Sequence, residues 1–82
     1  MIDTKQTNLA VQLAYQAHRG QMDKAGLPYI RHPLHVAEHM PDELSTIVAV
    51  LHDVLEDTPM TAEDLMQAGI PARAVNSICH LT

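Results

Sequence analysis

Apolar residues recur along this chain every three or four positions, the spacing of one face of an α-helix. The pattern is clearest between Asp42 and Asp57, where it predicts a helix capped by Asp42 and ending near Asp57. The apolar positions of this stripe are Leu44, Ile47, Val48, Leu51, Val54 and Leu55. Because the β-branched residues fall inside such helical periods, no strand is predicted.

Residues that start or stop helices divide the rest of the chain. The predicted helices run from about Thr4 to Arg19, from Pro33 to just before Pro41, from Asp42 to Asp57, from Thr61 to Gly69 and from Pro71 onward. Asp3 followed by Gln6 resembles a capping box for the first helix. The stretch 21–32 contains Gly26 and Pro28 and has no period, which predicts a loop. Five helices without a strand predict an all-α bundle.

Length and composition set the size of this bundle. The 82 residues suffice for one small domain, and a chain of this size buries only ~60% of the surface that it exposes when unfolded. Hydrophobic residues make up 46% of the chain without any Phe or Trp, so the core is expected to be aliphatic. The last helix reaches Thr82 without a stop signal. We therefore expect residues 1–82 to be the N-terminal portion of a domain.

Charge and cysteine content narrow the functional class. The formal charge is −5 and the five Lys and Arg residues are scattered, which argues against binding of nucleic acid. The sequence contains neither an apolar signal segment nor the ~20 apolar residues of a membrane span, so no membrane association is expected. Cys79 is the only cysteine; it is expected to be buried and is consistent with a reducing compartment. We expect a cytoplasmic protein.

The segment HDVLED at residues 52–57 is the main candidate for chemistry. Helical geometry places Glu56 one turn after His52, and Asp57 one turn after Asp53. His52 and Asp53 can bind one divalent ion if a third ligand is supplied from elsewhere, and this donor set suits manganese, iron or zinc more than calcium. The metal would activate a water that an adjacent carboxylate deprotonates. The alternative is a solvated polar helix face without chemistry.

The other histidines include a candidate for the third metal ligand, and three of them suggest an alternative metal site. His32 lies where the predicted loop meets the second helix and could reach a neighbouring helix; a helix cap or a surface imidazole is the alternative. His32, His35 and His39 fall at i, i+3 and i+7, which predicts either a separate transition-metal site or a solvated face. His18 and His80 are isolated and are expected to be structural.

Two basic residues, Lys24 and Arg31, flank the turn before His32 and could contact a phosphate group. Lys24 is the better candidate because Gly26 beside it permits the close approach of a ligand. The alternative for either residue is an exposed side chain without a specific partner.

Three segments combine into a recognisable pattern: AHRGQ at residues 17–21, KAGLPYIRHPL at 24–34 and LHDVLEDT at 51–58. Together they resemble the HD hydrolase domain of the RelA/SpoT homologue family, and in particular its small alarmone hydrolases. The combination of G-x-P-Y-I-x-H-P with H-D-x-x-E-D-T is highly specific. The resemblance extends from about Leu9 to Thr82.

This resemblance implies an all-helical HD domain that removes the 3′-pyrophosphate from ppGpp and pppGpp with the help of manganese. It implies that the metal ligands include His32, His52 and Asp53. It further implies that Glu56 and Asp57 position and activate the attacking water.

The resemblance also bears on substrate contacts. Lys24 matches a basic loop residue near the substrate phosphates, and Leu81-Thr82 matches a Leu-Thr pair of the family, which makes Thr82 a candidate substrate contact. Asp23 stands where longer members often carry arginine. The family's fourth metal ligand, an aspartate on a later helix, has no counterpart among these residues.

The sequence therefore predicts part of a metal-dependent phosphohydrolase whose substrate is a guanosine polyphosphate or a related nucleotide. The alternative is a non-catalytic, shortened HD domain that binds metal or nucleotide. Such a domain would self-associate through the apolar surface that missing helices leave open.

Overall fold

The computed structural model describes residues 1–81 and contains five α-helices in that range. They are α1 (Lys5–Ala17), α2 (Arg31–Ala37), α3 (Glu43–Asp57), α4 (Ala62–Ala68) and α5 (Ala72–Leu81). Between residues 1 and 81 the only extended pairing is an isolated bridge between Met22 and Pro28. The predicted all-α class is confirmed. None of the helices in this range has the length and hydropathy needed to cross a bilayer.

Helix α3 is the centre of the structure. Helices α1, α2 and α5 each pack against α3, and α4 packs against α5. The buried aliphatic residues of α3 are Ile47, Ala49, Val50, Leu51 and Val54. Full burial of a large aliphatic side chain contributes about 1.5–3 kcal/mol. The side chains of α3 therefore supply much of the interior that holds the other helices in place.

The apolar stripe predicted on α3 divides into two faces. Ile47, Leu51 and Val54 are buried, whereas Leu44, Val48 and Leu55 are only partly buried. Leu44 and Val48 border an open apolar groove of about 520 Å³, which is also lined by residues of α2 and α5. The helical period of the sequence does not distinguish the two faces, because it shows which positions are apolar but not which neighbouring helices cover those positions.

The predicted cap of the first helix is wrong. Thr4, not Asp3, is the N-cap: its hydroxyl accepts a hydrogen bond from the Thr7 amide at 3.1 Å, and the Thr7 hydroxyl accepts one from the Thr4 amide at 2.8 Å. Asp3 accepts instead from the side chain of Asn8. An N-cap needs extended backbone angles, and Thr4 has φ −129° and ψ 170°.

The caps predicted for α3 and α4 are confirmed. Asp42 accepts from the Ser45 amide at 2.8 Å, Thr61 and Asp64 form a reciprocal capping box, and Gly69 ends α4 with φ 111°. Hydrogen bonds from the Ser45 amide and hydroxyl hold the pKa of Asp42 below its usual range. Because folding lowers this pKa, the Asp42 cap stabilises α3 at neutral pH and is lost as the pH falls through the folded pKa.

Helix α2 begins at Arg31, two residues before the predicted start at Pro33. Proline is tolerated there because the first turn of a helix has no intrahelical acceptor for its amide groups. His32 is therefore part of the first turn of α2 and not of the loop before it, so its backbone is held by the helix.

Cys79 is exposed, which contradicts its expected burial. The buried residues of α5 are Ala74, Val75 and Ile78. Successive helical residues are rotated by ~100° about the axis, so Cys79 lies to one side of the face that Ile78 buries.

We expect Leu65→Ala to lower the free energy of unfolding by about 2–5 kcal/mol, because it leaves a cavity where a large side chain was packed. Leu65 is 0% exposed on α4. The adjacent Met66 is 49% exposed, and Met66→Ala is the matched control, with an expected change within about 0.5 kcal/mol. Urea unfolding followed by circular dichroism measures both. Equal losses for the two variants would contradict the observed packing of α4.

Candidate metal centre

Two neighbouring helices bring three metal-type donors together. His52 and Asp53 lie in the second half of α3, and His32 lies in the first turn of α2, which packs against α3. One donor atom from each residue lies within 4.8 Å of the others. Across residues 1–81, no other group of three or more His, Cys, Asp or Glu side chains converges in this way. The three residues predicted as ligands are thus neighbours in space.

Asp53 is the centre of this cluster. Its Oδ1 is 3.1 Å from Nε2 of His52, and its Oδ2 is 4.0 Å from Nε2 of His32. Asp53 is only 9% exposed. A carboxylate that is removed from water in this way must be paired or hydrogen-bonded, so the groups around Asp53 determine how it can be used.

The tautomer of His52 is set by the backbone of its own helix. Nδ1 is 2.8 Å from the carbonyl oxygen of Ala49, which can only accept, so Nδ1 carries the hydrogen. In the neutral ring Nε2 then has a lone pair directed outward. Nε2 lies 3.1 Å from Oδ1 of Asp53. An imidazole lone pair and a carboxylate oxygen repel each other at this distance unless a proton or a metal cation lies between them.

Tyr29, in the loop before α2, donates a hydrogen bond to the cluster. Its hydroxyl is 2.7 Å from Oδ2 of Asp53 and 3.5 Å from Oδ2 of Asp57. Burial, followed by the hydrogen bond to Asp53 and the negative charges of Asp53 and Asp57, raises the pKa of Tyr29 above its usual range. The phenol therefore keeps its proton and acts as a donor to the carboxylates.

Sequence reasoning missed Tyr29. It stands three residues before His32 in the loop motif, and a phenol that is partly buried usually needs a polar partner. That signal could have indicated a hydrogen bond, but not that its partner lies 24 residues later on α3.

Glu56 and Asp57 are exposed in the last turn of α3. Neither belongs to the group of converging donors, yet Asp57 reaches the hydroxyl of Tyr29 at 3.5 Å. Glu56 follows His52 by one helical turn. Asp57 is therefore beside the cluster, and helical spacing alone places Glu56 near His52.

The rival site on His32, His35 and His39 does not form as a three-histidine cluster. His32 lies with His52, their ring centroids 6.5 Å apart, whereas the exposed His35 and His39 pair with each other at 5.1 Å. In the part of the chain that the structure describes, no three-ligand group includes His35 or His39.

His18 is buried, and its Nδ1 lies 2.7 Å from the side-chain oxygen of Gln21. Its predicted structural role is consistent with this placement. His80 is exposed in the last turn of α5.

Lys24 is exposed at the tip of the loop before α2. Asp23 organises this loop: its side chain accepts from the amides of Ala25 and Leu27, and its carbonyl accepts from the amide of Gly26. Asp23 thus has a structural use in this chain. Thr82, the other predicted substrate contact, lies outside the described residues.

The donor set fits a divalent transition metal. At metal–donor distances near 2.1 Å, two ligands on opposite sides of one ion are about 4.2 Å apart. The donor atoms of the cluster all lie within 4.8 Å of one another, which is close to the span that one ion could bridge, and the imidazole of His32 is exposed. Two neutral imidazoles with one carboxylate suit manganese, iron or zinc. Such an ion would also remove the repulsion between His52 and Asp53.

Fold and donor set together define an all-helical domain with a candidate metal centre. No protein-family model matches the chain. Over 67 residues, which are 77% of this chain and 10% of the relative, it is 43% identical to the bifunctional (p)ppGpp synthase/hydrolase SpoT of Escherichia coli K12. It is 45% identical over 60 residues, 67% of this chain and 9% of the relative, to a guanosine-3′,5′-bis(diphosphate) 3′-pyrophosphohydrolase of Haemophilus influenzae.

A solved structure shares the fold. It is described as a metazoan orthologue of SpoT that hydrolyses ppGpp and plays a role in starvation responses. Its TM-score to this chain is 0.81 and its sequence is 28% identical. The match covers 100% of this chain and 50% of that chain. The predicted resemblance is confirmed: the chain is homologous to a segment of the SpoT-type proteins. It spans about a tenth of these curated relatives and half of the solved chain.

We expect His52→Ala to abolish specific binding of Mn²⁺, because it removes one of the three candidate ligands of the cluster. The double variant His35→Ala, His39→Ala should bind Mn²⁺ as the unsubstituted protein does, because these rings lie outside the cluster. Electron paramagnetic resonance of free Mn²⁺ during a titration measures both affinities. The opposite result, with binding lost only in the double variant, would place the metal at His35 and His39.

Proposed function

We propose that this chain forms the metal-binding part of an HD-type phosphohydrolase that removes the 3′-pyrophosphate from ppGpp or a closely related guanosine nucleotide. The observation that carries this proposal is the convergence of His32, His52 and Asp53 beside two further acids. The names of the relatives support the substrate class, and the similar solved structure supports hydrolysis of ppGpp. We further propose that residues 1–82 form part of one domain. We also propose a cytoplasmic location, because this nucleotide and a reduced Cys79 are expected there.

Each of the three ligands has a distinct part in this proposal. His52 presents Nε2 because its Nδ1 is committed to the Ala49 carbonyl. Asp53 supplies the negative charge, and the exposed His32 closes the site from α2. A bound divalent ion, with manganese favoured and iron or zinc possible, would supply Lewis acidity toward a phosphoryl oxygen and toward water.

Glu56 and Asp57 act on the attacking water. Both are exposed and next to the ligands, so a water between them and the substrate phosphate can be oriented by one carboxylate and give its proton to the other. Asp57 also faces the Tyr29 hydroxyl, which restricts its orientation. We assign the role of orienting and deprotonating water to this pair.

We assign the binding position of the substrate to the exposed side of the cluster. The chain carries a formal charge of −5, so a polyphosphate requires local positive charge, which a metal ion can supply. Lys24, at the tip of the loop, and Thr82 are the proposed protein contacts to the substrate. The open loop around Gly26, where nothing lies within 4 Å of an added Cβ, leaves space for a phosphate to approach Lys24.

The names of the relatives do not decide between synthesis and hydrolysis of the nucleotide. A protein of Myxococcus xanthus that is 45% identical over 56 residues, 63% of this chain and 7% of the relative, is named a GTP pyrophosphokinase. These relatives are much longer than the present chain, so their names describe activities of whole proteins. The hydrolytic proposal therefore depends on the cluster and on a direct assay.

We expect the protein to release pyrophosphate from ppGpp in the presence of Mn²⁺ and not in the presence of EDTA. Glu56→Gln and Asp57→Asn should each lower kcat by about 10²–10⁴-fold, because they remove a proton acceptor for the water. The affinity for Mn²⁺ should be unchanged. A chromatographic assay of nucleotide products, with metal binding measured in parallel, tests both statements.

Glu43→Gln is the matched control, since Glu43 is exposed at the opposite end of α3, about 20 Å away along the helix axis. It should leave kcat unchanged. Loss of activity in all three variants to the same extent would indicate a general effect of charge. Turnover of another nucleotide but not of ppGpp would refute the substrate assignment.

A second candidate function is non-catalytic binding of metal or nucleotide with self-association. The open apolar groove favours this second function, because apolar surface that is not fully buried favours association. The groove lies next to His52 and is lined by four partly buried apolar residues, Val36, Met40, Leu44 and Val48. In this case calorimetry would detect binding of ppGpp without release of pyrophosphate, and sedimentation equilibrium would detect a dimer or larger species. A monomer that turns over ppGpp would exclude it.

A further inference from the structure

We propose that Tyr29 is a positioning residue of the metal centre, whose hydroxyl fixes the carboxylate of Asp53 in the orientation that binds the ion. This inference rests on the proposed metal-binding function, but not on the identity of the substrate. No contact of Tyr29 with substrate is required. Its role is exerted through Asp53.

The two oxygens of Asp53 have different partners. Oδ2 accepts the hydrogen bond from Tyr29 at 2.7 Å, while Oδ1 faces Nε2 of His52 at 3.1 Å. The terminal torsion of an aspartate has a broad energy minimum, so without a donor the carboxylate could turn its oxygens away from His52. The phenol prevents this rotation. Carboxylates that bind metals are commonly held by hydrogen bonds of this kind.

Tyr29 is itself held in place by several contacts. Its amide donates to the carbonyl of Gln21 at 2.9 Å, and its ring lies 5.0 Å, centroid to centroid, from the ring of His18. His18 is 3% exposed and is fixed by the side chain of Gln21. The His18 and Gln21 positions of the first motif thus support the loop from which the phenol reaches α3.

The same hydroxyl contacts two acids that repel each other. Asp53 and Asp57 are one helical turn apart, a spacing at which like charges destabilise a helix. Tyr29 lies within reach of both, with the shorter contact to Asp53. Asp53 is thereby engaged by the phenol and the imidazoles, and the more exposed Asp57 is left to interact with water.

We expect Tyr29→Phe to weaken binding of Mn²⁺ by about 10–100-fold, the range typical of lost partners of metal ligands. The variant retains the ring that packs on His18 and removes only the hydroxyl. Tyr15→Phe is the matched control: Tyr15 is the only other tyrosine, is 54% exposed and lies on α1. It should bind Mn²⁺ as the unsubstituted protein does. Titration calorimetry measures the affinities, and thermal unfolding verifies that each variant is folded.

The outcomes separate this inference from the function on which it rests. If the unsubstituted protein binds no Mn²⁺, the proposed metal centre fails. If it binds Mn²⁺ and Tyr29→Phe binds equally well, the centre stands and the positioning role is overturned. Reduced stability of Tyr29→Phe with unchanged affinity would also overturn it, because that result describes a structural residue.

A second measurement does not depend on a variant. With 3-fluorotyrosine incorporated, the chain has two fluorine signals, one from each tyrosine. Added Mn²⁺ should broaden the signal of Tyr29 strongly and that of Tyr15 weakly, because only Tyr29 contacts the cluster. Equal broadening of both signals would place the ion away from Asp53 and overturn the proposed metal centre on which the inference rests.

Discussion

The packing of α2 against α3 is the contact on which the candidate site depends. His52 and Asp53 are adjacent in sequence, but two ligands hold an ion weakly, and the third comes from another helix. Pro33 and Ala37 on α2 are buried, and α2 packs against α3. The same contact gives the bundle its interior and brings His32 to α3. A change that separates these helices would therefore remove the site as well as part of the core.

The sequence was most informative where structure is governed by local rules. Asp42, the Thr61–Asp64 pair and Gly69 were identified correctly because a cap depends on a few consecutive residues. The neighbourhood of His52, Asp53 and the two later acids follows from helical geometry alone. The cap of α1 was misassigned by one residue, to Asp3 and not Thr4, because both residue types can cap a helix. The other failures occurred where packing decides: the exposure of Cys79 depends on which helices surround α5, and the partial burial of Leu44 depends on what covers the groove.

The role of Tyr29 shows a different limit. Its partner is 24 residues away, and the contact depends on the path of a loop that has no period. That path is set by Asp23, whose carboxylate accepts two loop amides. A pattern of residue types identifies Tyr29 as part of a motif, but only the folded loop shows that the motif connects to α3. Long-range contacts of this kind cannot be derived from spacing.

The candidate site also bears on the stability of the fold. Asp53 is buried, and the like charge of Asp57 follows one helical turn later. No Lys or Arg ion pair with Asp53 is found within residues 1–81. In a chain of this length the core leaves little stability to spare. A ligand that binds only the folded state stabilises it in proportion to the logarithm of its concentration over its Kd. A divalent ion at this position would therefore offset the repulsion and stabilise the fold, so metal binding and folding are expected to be coupled here.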